Sequence, residues 1–299
     1  MLIFLTGATG YIGGSVATKL IAAGHRVRGL VRSQGKADQL EKSGVEPVIG
    51  TLDDADLLGT EARQADGVID TASADHLASV VTFISALEGT EKPFIHTSGS
   101  SVIGDDARGL YASDMIFDEE STFVVEASKQ PRRAVDQLVV GAADRGVRSA
   151  VICPSNIYGV GRGIGLRSVQ IPALVDNALQ TGVVQIVGNG TNRRSNVHID
   201  DLTDLYLLVL ATAPPGAFYF AENGEASFAD IGAAISARLG LGAVQNLSAA
   251  DAAHKWGEGR AFYSLGSNSR VRAKRARTEL GWAPRHHSVI DWITTEMPV

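Results

Sequence analysis

Short apolar runs alternate with amphipathic stretches along the first half of the chain. The apolar runs predict β-strands, which are Leu2–Leu5, Val27–Val31, Pro47–Ile49, Val68–Asp70, Phe94–Thr97 and Ala150–Cys153. Helix-period segments lie between them; in the clearest one, Ile12, Val16 and Leu20 form one stripe and Gly24 follows as a stop signal. Strands separated by helices predict βαβ units, and therefore an α/β domain with a doubly wound parallel sheet over residues 1–160.

The second half of the chain is less regular. Its patterns predict helices at Pro172–Gln180, His198–Ala211 and Phe228–Leu239, and strands at Val183–Val187 and Ala217–Ala221. We predict that residues 161–196 and 214–299 form a smaller C-terminal α/β lobe that binds substrate, whereas residues 197–213 pack back on the first domain. In doubly wound folds, ligands bind at the carboxyl ends of the strands, and the lobe is expected to cover that edge.

Composition and charge restrict the class of protein. The 299 residues are 44% hydrophobic and 20% charged, as in ordinary globular proteins. The formal net charge of −6 argues against a nucleic-acid partner, because such proteins carry a basic face. The one strongly basic run, RVRAKRAR at 270–277, predicts a helix with its cations in water; the alternative is that these cations contact phosphates of a substrate.

Two features that the sequence lacks restrict the class of protein further. Cys153 is the only cysteine, which excludes an intramolecular disulfide and a cysteine-based metal cluster, and we predict no metal site. No apolar run approaches the roughly 20 residues of a membrane helix. We therefore expect a soluble, cytoplasmic protein without a membrane partner.

A glycine-rich segment, TGATGYIGG at 6–14, follows the first strand and opens the first helix. Gly7 suits a tight turn, Gly10 lets the backbone approach a pyrophosphate, and Gly13 allows close packing of helix on strand. The N–H groups that begin the helix can then bind the anion. This context predicts a dinucleotide site rather than a glycine-rich turn that binds nothing. The residues expected to hold the cofactor here are Thr6, Gly7, Thr9, Gly10, Tyr11, Ile12 and Gly13.

The end of the second strand distinguishes the two nicotinamide dinucleotides. An acidic residue there would bind the ribose of NAD, but this chain has Arg32 and Ser33. A guanidinium group and a hydroxyl suit a 2′-phosphate, so the sequence favours NADP(H); the alternative is that Arg32 is a surface arginine. From the topology of the fold, four more residues are expected to contact the cofactor. Thr51 and Leu52 would lie near the adenine, and Ala72 and Ser73 on the pyrophosphate side.

Four later segments, together with the glycine-rich one, carry a family resemblance. They are HTSGSSVIG (96–104), CPSNIYGVG (153–161), VHIDDL (197–202) and ELGWAP (279–284). Over nearly its whole length the sequence resembles the extended short-chain dehydrogenase/reductase superfamily, of the NAD(P)-dependent epimerase/dehydratase type. The resemblance implies a Rossmann fold, a nicotinamide cofactor and a homodimer formed through two helices of the α/β domain.

The resemblance fails at the catalytic residues. The family uses a tyrosine, a lysine four residues later, and a serine or threonine after the fifth strand. None of the six tyrosines here has a lysine at that spacing, and Gly99 stands at the serine position between Ser98 and Ser100. The chain thus resembles an atypical subgroup of the superfamily in which basic residues replace the pair.

The stretch EASKQPRRAVDQ, residues 126–137, occupies the place of the missing pair. Two ways of aligning it differ by one residue: one puts Lys129 and Arg133 at the tyrosine and lysine positions, and the other puts Ser128 and Arg132 there. An arginine can stabilise an oxyanion but cannot donate a proton at neutral pH. A lysine desolvated among cations can donate one. The alternative is a basic helix start that faces solvent.

Other residues are candidates for catalysis or for substrate binding. The candidate catalytic set is Lys129, Arg133, Ser98, Ser100, Tyr111 and His76. Tyr111 follows the fifth strand and could replace the missing acid, and His76 follows the fourth strand at the same edge of the sheet. By resemblance, Pro154 and Asn156 lie beside the cofactor. The substrate pocket is predicted to contain Asn156, Tyr158, Arg193 and Asn196, with Arg194 in the same loop.

Three functions are compatible with these features. The first is an NADP(H)-dependent oxidoreductase that acts on a small carbonyl or alcohol with a non-standard proton-transfer set. The second is a nucleotide-sugar epimerase or dehydratase, which needs phosphate-binding arginines in the second lobe. The third is a non-catalytic NADP(H)-binding sensor or partner protein, which the missing tyrosine favours. We predict the first, since polar loops surround the expected pocket.

Overall fold

The structure is a computed structural model that describes residues 1–299, and it contains twelve strands and eleven α-helices. The strands are β1 (Leu2–Thr6), β2 (Arg26–Val31), β3 (Glu46–Ile49), β4 (Gly67–Asp70), β5 (Pro93–Thr97), β6 (Arg148–Pro154), β7 (Asn156–Tyr158), β8 (Gln185–Val187), β9 (Arg193–His198), β10 (Ala217–Ala221), β11 (Glu225–Ser227) and β12 (Gln245–Leu247). The helices are α1 (Tyr11–Ala22), α2 (Gln34–Lys42), α3 (Ala55–Gln64), α4 (Leu77–Leu87), α5 (Gln130–Gly141), α6 (Gln170–Thr181), α7 (Ile199–Thr212), α8 (Phe228–Leu239), α9 (Ala249–Trp256), α10 (Lys274–Leu280) and α11 (Val289–Thr295).

Seven strands form one parallel sheet in the order β10-β6-β5-β4-β1-β2-β3. The strand order reverses between β1 and β4, which is the switch point where doubly wound sheets bind their ligands. The predicted doubly wound Rossmann fold is confirmed, and every strand expected in the first half is present.

Two apolar cores cover the two faces of this sheet. On one face, Leu20 of α1 and Leu205 of α7 belong to the same buried cluster. On the other face, Leu58 of α3, Phe83 of α4 and Val139 of α5 form a second cluster. Burial on both faces explains why the strands read as continuous apolar runs in the sequence rather than as alternating ones.

The smaller part of the molecule is built on two short sheets. One has the order β11-β9-β7 and the other pairs β12 with β8. Helices α6, α8 and α11 cover them, with Leu174, Ile231 and Ile293 in one buried cluster. Two segments that we assigned to this lobe lie instead on the large sheet: residues 217–221 form its edge strand, and Val271 belongs to its core.

The basic run 270–277 does not form the solvated helix that its pattern predicts. Arg270 donates to Glu225 and Arg277 donates to Glu222, two acids that are largely buried, so these cations are structural. Helix α10 begins only within the second half of the run. No helix in the structure has both the length and the apolar character required to cross a membrane.

Candidate functional site

The glycine-rich loop after β1 has a backbone that only glycine accommodates at two positions. Gly7 has a φ of +74°, and a Cβ there would lie 2.6 Å from the Thr71 Oγ1 atom. A Cβ on Gly13 would lie 2.3 Å from the Gly7 carbonyl oxygen. The first glycine therefore permits the turn and the third permits close packing of α1, as the sequence predicts.

The start of α1 is free to bind an anion. Gly10 is the N-cap residue and offers no side-chain acceptor, so no side chain caps the N–H groups of the first turn. These groups border a cavity of about 330 Å³. Free donors at a positive helix end fit a pyrophosphate, and the loop thus fits a dinucleotide.

The cavity extends from the glycine-rich loop to the carboxyl ends of β5 and β6. Its walls are mostly polar and include two arginines. The lining residues are Gly10, Tyr11, Ile12, Gly13, Thr71, Ser98, Gly99, Ser100, Ser101, Arg132, Pro154, Ser155, Asn156, Ile157, Ser168, Val169, Gln170 and Arg194. Of the cofactor residues predicted in the loop, Gly10, Tyr11, Ile12 and Gly13 thus lie on the cavity wall.

A second loop, residues 159–168, packs directly on the glycine-rich one. A Cβ on Gly165 would lie 2.6 Å from backbone atoms of Gly10 and Tyr11. The Tyr11 hydroxyl donates to the Gly159 carbonyl at 2.9 Å. This packing gives Tyr11 a structural role, and burial raises the pKa of its hydroxyl well above the ordinary tyrosine value.

The end of β2 carries a cation without an acid partner. Arg32 is exposed and makes no ion pair, and Ser33 is the N-cap of α2 without using its side chain as a cap. No acidic residue stands between β2 and α2. Both side chains are therefore exposed and free of protein partners.

The remaining cofactor candidates lie behind the cavity wall or beside it. Thr6 is buried and donates to Asp70, so its hydroxyl belongs to the core. Five further residues that the sequence assigns to the cofactor do not line the cavity: Thr9, Thr51, Leu52, Ala72 and Ser73. The neighbouring Thr71 does.

Arg132, and not Arg133, points into the cavity from α5. Its Nε and Nη2 atoms donate to the Asp75 carboxylate at 2.8 and 2.6 Å, and its Nη1 atom donates to the Ser101 hydroxyl at 2.9 Å. The Arg133 guanidinium instead lies 5.2 Å from the ring centroid of Phe123, outside the cavity. The structure thus agrees with the alignment that puts an arginine at position 132 in the place of the lysine.

The serines after β5 differ in what stands behind them. The Ser98 hydroxyl donates to the Asp136 carboxylate at 3.0 Å. The Ser100 hydroxyl meets the Ser269 hydroxyl at 2.9 Å. Both serines line the cavity, but only Ser98 is backed by a titratable group.

Three other catalytic candidates do not reach the cavity wall: Lys129, Tyr111 and, discussed after them, His76. Lys129 caps α5 and lies 5.1 Å from the ring centroid of Tyr263; burial, and then the nearby Arg132, lowers the pKa of Lys129. Tyr111 is half exposed in its loop, and burial and Asp105 raise its pKa.

His76 has a structural explanation. Its Nδ1 atom accepts from the Ser79 N–H at the start of α4, and its Nε2 atom lies 3.2 Å from the Asp53 carboxylate. Both ring nitrogens are therefore occupied by local contacts.

Among the predicted substrate residues, Asn156 lines the cavity and the others stand behind it. The Asn156 side chain donates to Asn196, which is buried. Tyr158 is buried and its hydroxyl donates to the His286 carbonyl. Arg193 is held by Glu225 at 2.7 Å. These contacts give Tyr158 and Arg193 positions in the smaller lobe rather than in the cavity.

Of the two arginines that begin β9, Arg194 is the one that faces the cavity. It is 4% exposed, and its Nη1 atom donates to the backbone carbonyls of Tyr263 and Ser264. Its Nε atom has no partner, and no acid pairs with it. Burial lowers the pKa of Arg194 to about 10, so it stays a cation at neutral pH. A buried, unpaired cation in a polar cavity fits an anionic or strongly polar group of a ligand.

The sequence missed three kinds of residue at this site. Ser101 and Asp75, which hold Arg132, carry no signal of their own in the sequence. Residues 168–170 approach the cavity because the loop before α6 folds over the glycine-rich loop. Asp136 could have been found, because it follows Arg132 at a spacing of four on one helix face.

Comparisons with known proteins give the family. The sequence profile of the NAD dependent epimerase/dehydratase family matches residues 3–219. An oxidase named ucsJ, from Acremonium sp, is 35% identical and covers 94% of this chain and 92% of its own length. A 4-hydroxy-2-methyl-3-oxo-4-farnesyl-3,4-dihydroquinoline-1-oxide ketoreductase from Stigmatella aurantiaca is 26% identical and covers 75% of this chain and 69% of its own.

A solved structure confirms the fold. A mutant of UDP-glucuronic acid 4-epimerase from Bacillus cereus, in complex with a fluorinated UDP-glucuronic acid and NAD, superposes with a TM-score of 0.79 at 18% identity. The match covers 99% of this chain and 98% of that one. The oxidoreductase class that the sequence predicts agrees with the relatives named as an oxidase and a ketoreductase. The chain belongs to the NAD dependent epimerase/dehydratase family, as an atypical member without the Tyr-x-x-x-Lys pair.

Proposed function

We propose that the protein is an NADP(H)-dependent reductase of carbonyl compounds. The observation that carries the proposal is the polar cavity that joins the glycine-rich loop to Ser98, Arg132 and Arg194. It places hydrogen-bond donors and two cations next to the site that fits a dinucleotide. A carbonyl oxygen that gains negative charge during reduction is stabilised by such fixed donors.

The cofactor would be held at two places. The free N–H groups of Tyr11 and Ile12 would bind its pyrophosphate, and Arg32 with Ser33 would bind a 2′-phosphate. When bound, the cofactor supplies a hydride to the carbonyl carbon. The preference for NADP(H) rests on the unpaired Arg32 and on the lack of an acid after β2.

Each cavity arginine would have a separate task. Arg132 is fixed in orientation by Asp75 and Ser101, so it can stabilise a developing oxyanion without reorganising. Arg194 lines the cavity and is bound only through its Nη1 atom, so its guanidinium would bind a polar part of the substrate. Neither arginine can serve as the proton donor, because a guanidinium does not lose its proton near neutral pH.

A nucleotide-sugar epimerase is the second candidate. The observation that favours it is Arg194, a buried cation in the smaller lobe that would also suit a phosphate. The relatives include a UDP-glucose 4-epimerase from Mycolicibacterium smegmatis, 27% identical over 95% of this chain. An epimerase returns its hydride to the product, so it consumes no cofactor overall.

Turnover experiments separate these functions. We expect the purified protein to oxidise NADPH in the presence of some members of an aldehyde and ketone panel, and to oxidise NADH more slowly. Conversion of UDP- or dTDP-sugars without net loss of NADPH would support the epimerase instead. Tight NADPH binding without any turnover would indicate the sensor.

The cofactor preference has its own test. Replacing Arg32 by alanine removes the charged contacts to a 2′-phosphate, each worth roughly 1.5–3 kcal/mol. We therefore expect NADPH to bind roughly 10- to 100-fold more weakly, with NADH binding unchanged. Arg26→Ala is the control, since Arg26 is an exposed arginine at the other end of the same strand. Equal binding of NADPH to all three proteins would contradict the assignment.

A further inference from the structure

The structure places a buried carboxyl group, Asp136, directly behind a cavity-lining serine, in a chain that lacks the family's usual proton donor. Successive side chains of β5 point to opposite faces of the sheet. His96 and the following Ser98 therefore share the face that α5 covers, whereas Thr97 points the other way to Tyr206 of α7. From α5, Asp136 meets Ser98 on the shared face.

The contacts of Asp136 are incomplete for a carboxylate. Its side chain is fully buried, and one oxygen accepts from the Ser98 hydroxyl at 3.0 Å. The other oxygen has no hydrogen-bond partner. No cation forms an ion pair with it, since Arg132, one turn earlier, is bound to Asp75. A buried carboxyl group with so few partners is favoured in its neutral, protonated form.

The surroundings of Asp136 contain few charges. From β5 it faces Ser98 and His96, and from β6 it faces Cys153. Arg132 and Arg133 of its own helix lie within electrostatic range. Burial is the largest influence and raises the pKa of Asp136 to about 6, against smaller opposing effects of the Ser98 hydroxyl and these cations.

The His96 ring is oriented by a second buried pair. Its Nδ1 atom lies 2.9 Å from the Asp70 carboxylate, which also accepts from Thr6. Its Nε2 atom is buried without a partner. The contact with Asp70 holds the His96 ring in one orientation. The Nε2 atom of His96 is therefore left without a partner on the same face of the sheet as Asp136.

We propose that Ser98 donates the proton to the substrate oxygen and that Asp136 replaces that proton, so that the two residues take over the task of the missing tyrosine. This inference rests on the proposed reductase function. Ser98 is the catalytic residue, because it lines the cavity, and Asp136 is a positioning and proton-supplying residue that acts through it.

The proton transfers balance. The Ser98 hydroxyl turns from Asp136 to the substrate, and its O–H bond breaks as its proton passes to the carbonyl oxygen, while the hydride forms the new C–H bond. The Asp136 O–H bond breaks as its proton passes to the Ser98 oxygen. After the alcohol leaves, a water proton enters through the cavity and restores Asp136 by way of Ser98. One carbonyl, one hydride and one proton thus give one alcohol.

Ser100 does not offer the same route. Its hydroxyl is paired with the hydroxyl of Ser269, which also donates to the Ser100 carbonyl. No titratable group stands behind this pair. A serine without an acid behind it would have to donate a proton from a hydroxyl of ordinary, very weak acidity.

The first test measures the proton on Asp136 without any substrate. The infrared absorption of protonated carboxyl groups is recorded against pH for the wild type and for Asp136→Asn, and the two are subtracted. We expect a difference band that disappears with a midpoint of about pH 6. A midpoint near pH 4, or the absence of a band at pH 5, would overturn the proposal.

The second test measures the rate of turnover against pH, with a carbonyl compound that the wild-type protein reduces. We expect the wild-type rate to fall above about pH 6, and Asp136→Asn and Ser98→Ala to lower kcat by roughly 100-fold or more, as loss of a general acid does. Tyr206→Phe is the matched control, since it removes an equally buried hydrogen bond on the opposite face of β5 and should keep the wild-type pH profile.

The two tests separate this inference from the proposed function. Turnover by Asp136→Asn with an unchanged rate and pH profile would overturn the proton route and leave the reductase standing. If no carbonyl supports NADPH oxidation, the reductase proposal falls, and the infrared midpoint alone then decides whether Asp136 holds a proton.

Discussion

At the scale of single residues, a few buried side chains explain the character of the site. Arg194 keeps a cation in the cavity wall without an acid partner, and Asp136 keeps a carboxyl group behind the wall without a cation. Arg132 is the only one of the three in an ion pair, with Asp75. Leaving buried polar atoms unpaired costs folding free energy, so such atoms concentrate where a ligand completes them.

The buried Asp136 predicts a pH dependence of stability. Its pKa of about 6 exceeds that of an unfolded aspartate, so the folded protein holds a proton that the unfolded chain has lost between about pH 4 and 6. Stability therefore falls as pH rises through this window, by roughly 3 kcal/mol. Urea unfolding of the wild type and Asp136→Asn at pH 4.5 and 7.5 measures it: the variant should gain relative to the wild type at the higher pH. A constant difference would contradict the raised pKa.

At the scale of elements, the strands and their order follow from the sequence pattern. The rotation of α5 about its axis, which decides which of its side chains point into the cavity, does not. The apolar runs of β1 to β6 and the glycines of the first loop specify a doubly wound sheet with a dinucleotide site. On α5, however, moving the alignment by one residue turns the helix by about 100°. The sequence could not decide between Arg132 and Arg133, and packing of Arg133 against two aromatic rings decides it.

Other features of the site also could not be predicted from the sequence. The N-cap residue of α5 is Lys129, whose side chain cannot accept a hydrogen bond from the helix N–H groups, so no capping signal marks this helix start. Candidates chosen by their place in a loop, such as His76, proved to have structural partners. The residues that complete the site approach from elements far apart in the chain, and no local pattern encodes such contacts.

The two adjacent arginines of α5 give a matched pair of variants. Arg132→Ala removes the fixed donor of the cavity, so we expect kcat to fall by roughly 100- to 1000-fold. Arg133→Ala removes cation–π contacts with Phe123 and Phe218, and we expect it to lower the free energy of unfolding by about 1 kcal/mol and leave turnover near wild type. Rates and urea midpoints of both variants check this. The reverse pattern would mean that α5 presents its other face to the substrate.

At the scale of the whole molecule, a buried histidine links the two parts of the chain. His198, before α7, stacks on His286 with ring centroids 3.8 Å apart. The Asp201 carboxylate accepts the N–H groups of Arg285 and His286. These contacts fix the C-terminal segment, and with it α11, against the helix that packs on the large sheet.

This junction should loosen in acid. Burial, and then the adjacent His286, lowers the pKa of His198 to about 4, so the unfolded chain binds a proton below pH 6.5 that the folded protein does not. The stabilisation is present above pH 6.5 and is lost as pH falls towards 4, by roughly 3 kcal/mol. His198→Gln should therefore lose less stability than the wild type between pH 7 and 4.5. Parallel curves for the two proteins would contradict it.

The proposed function requires net hydride transfer, and isotopic labelling tests this transfer directly. NADPH carrying two deuterium atoms at the reactive carbon of its nicotinamide is incubated with the protein and the carbonyl panel, and the products are analysed by mass spectrometry. We predict an alcohol that has gained one deuterium, with one NADPH oxidised for each alcohol formed. Unlabelled products, or a nucleotide sugar converted while the labelled NADPH is not consumed, would contradict the proposed reductase function.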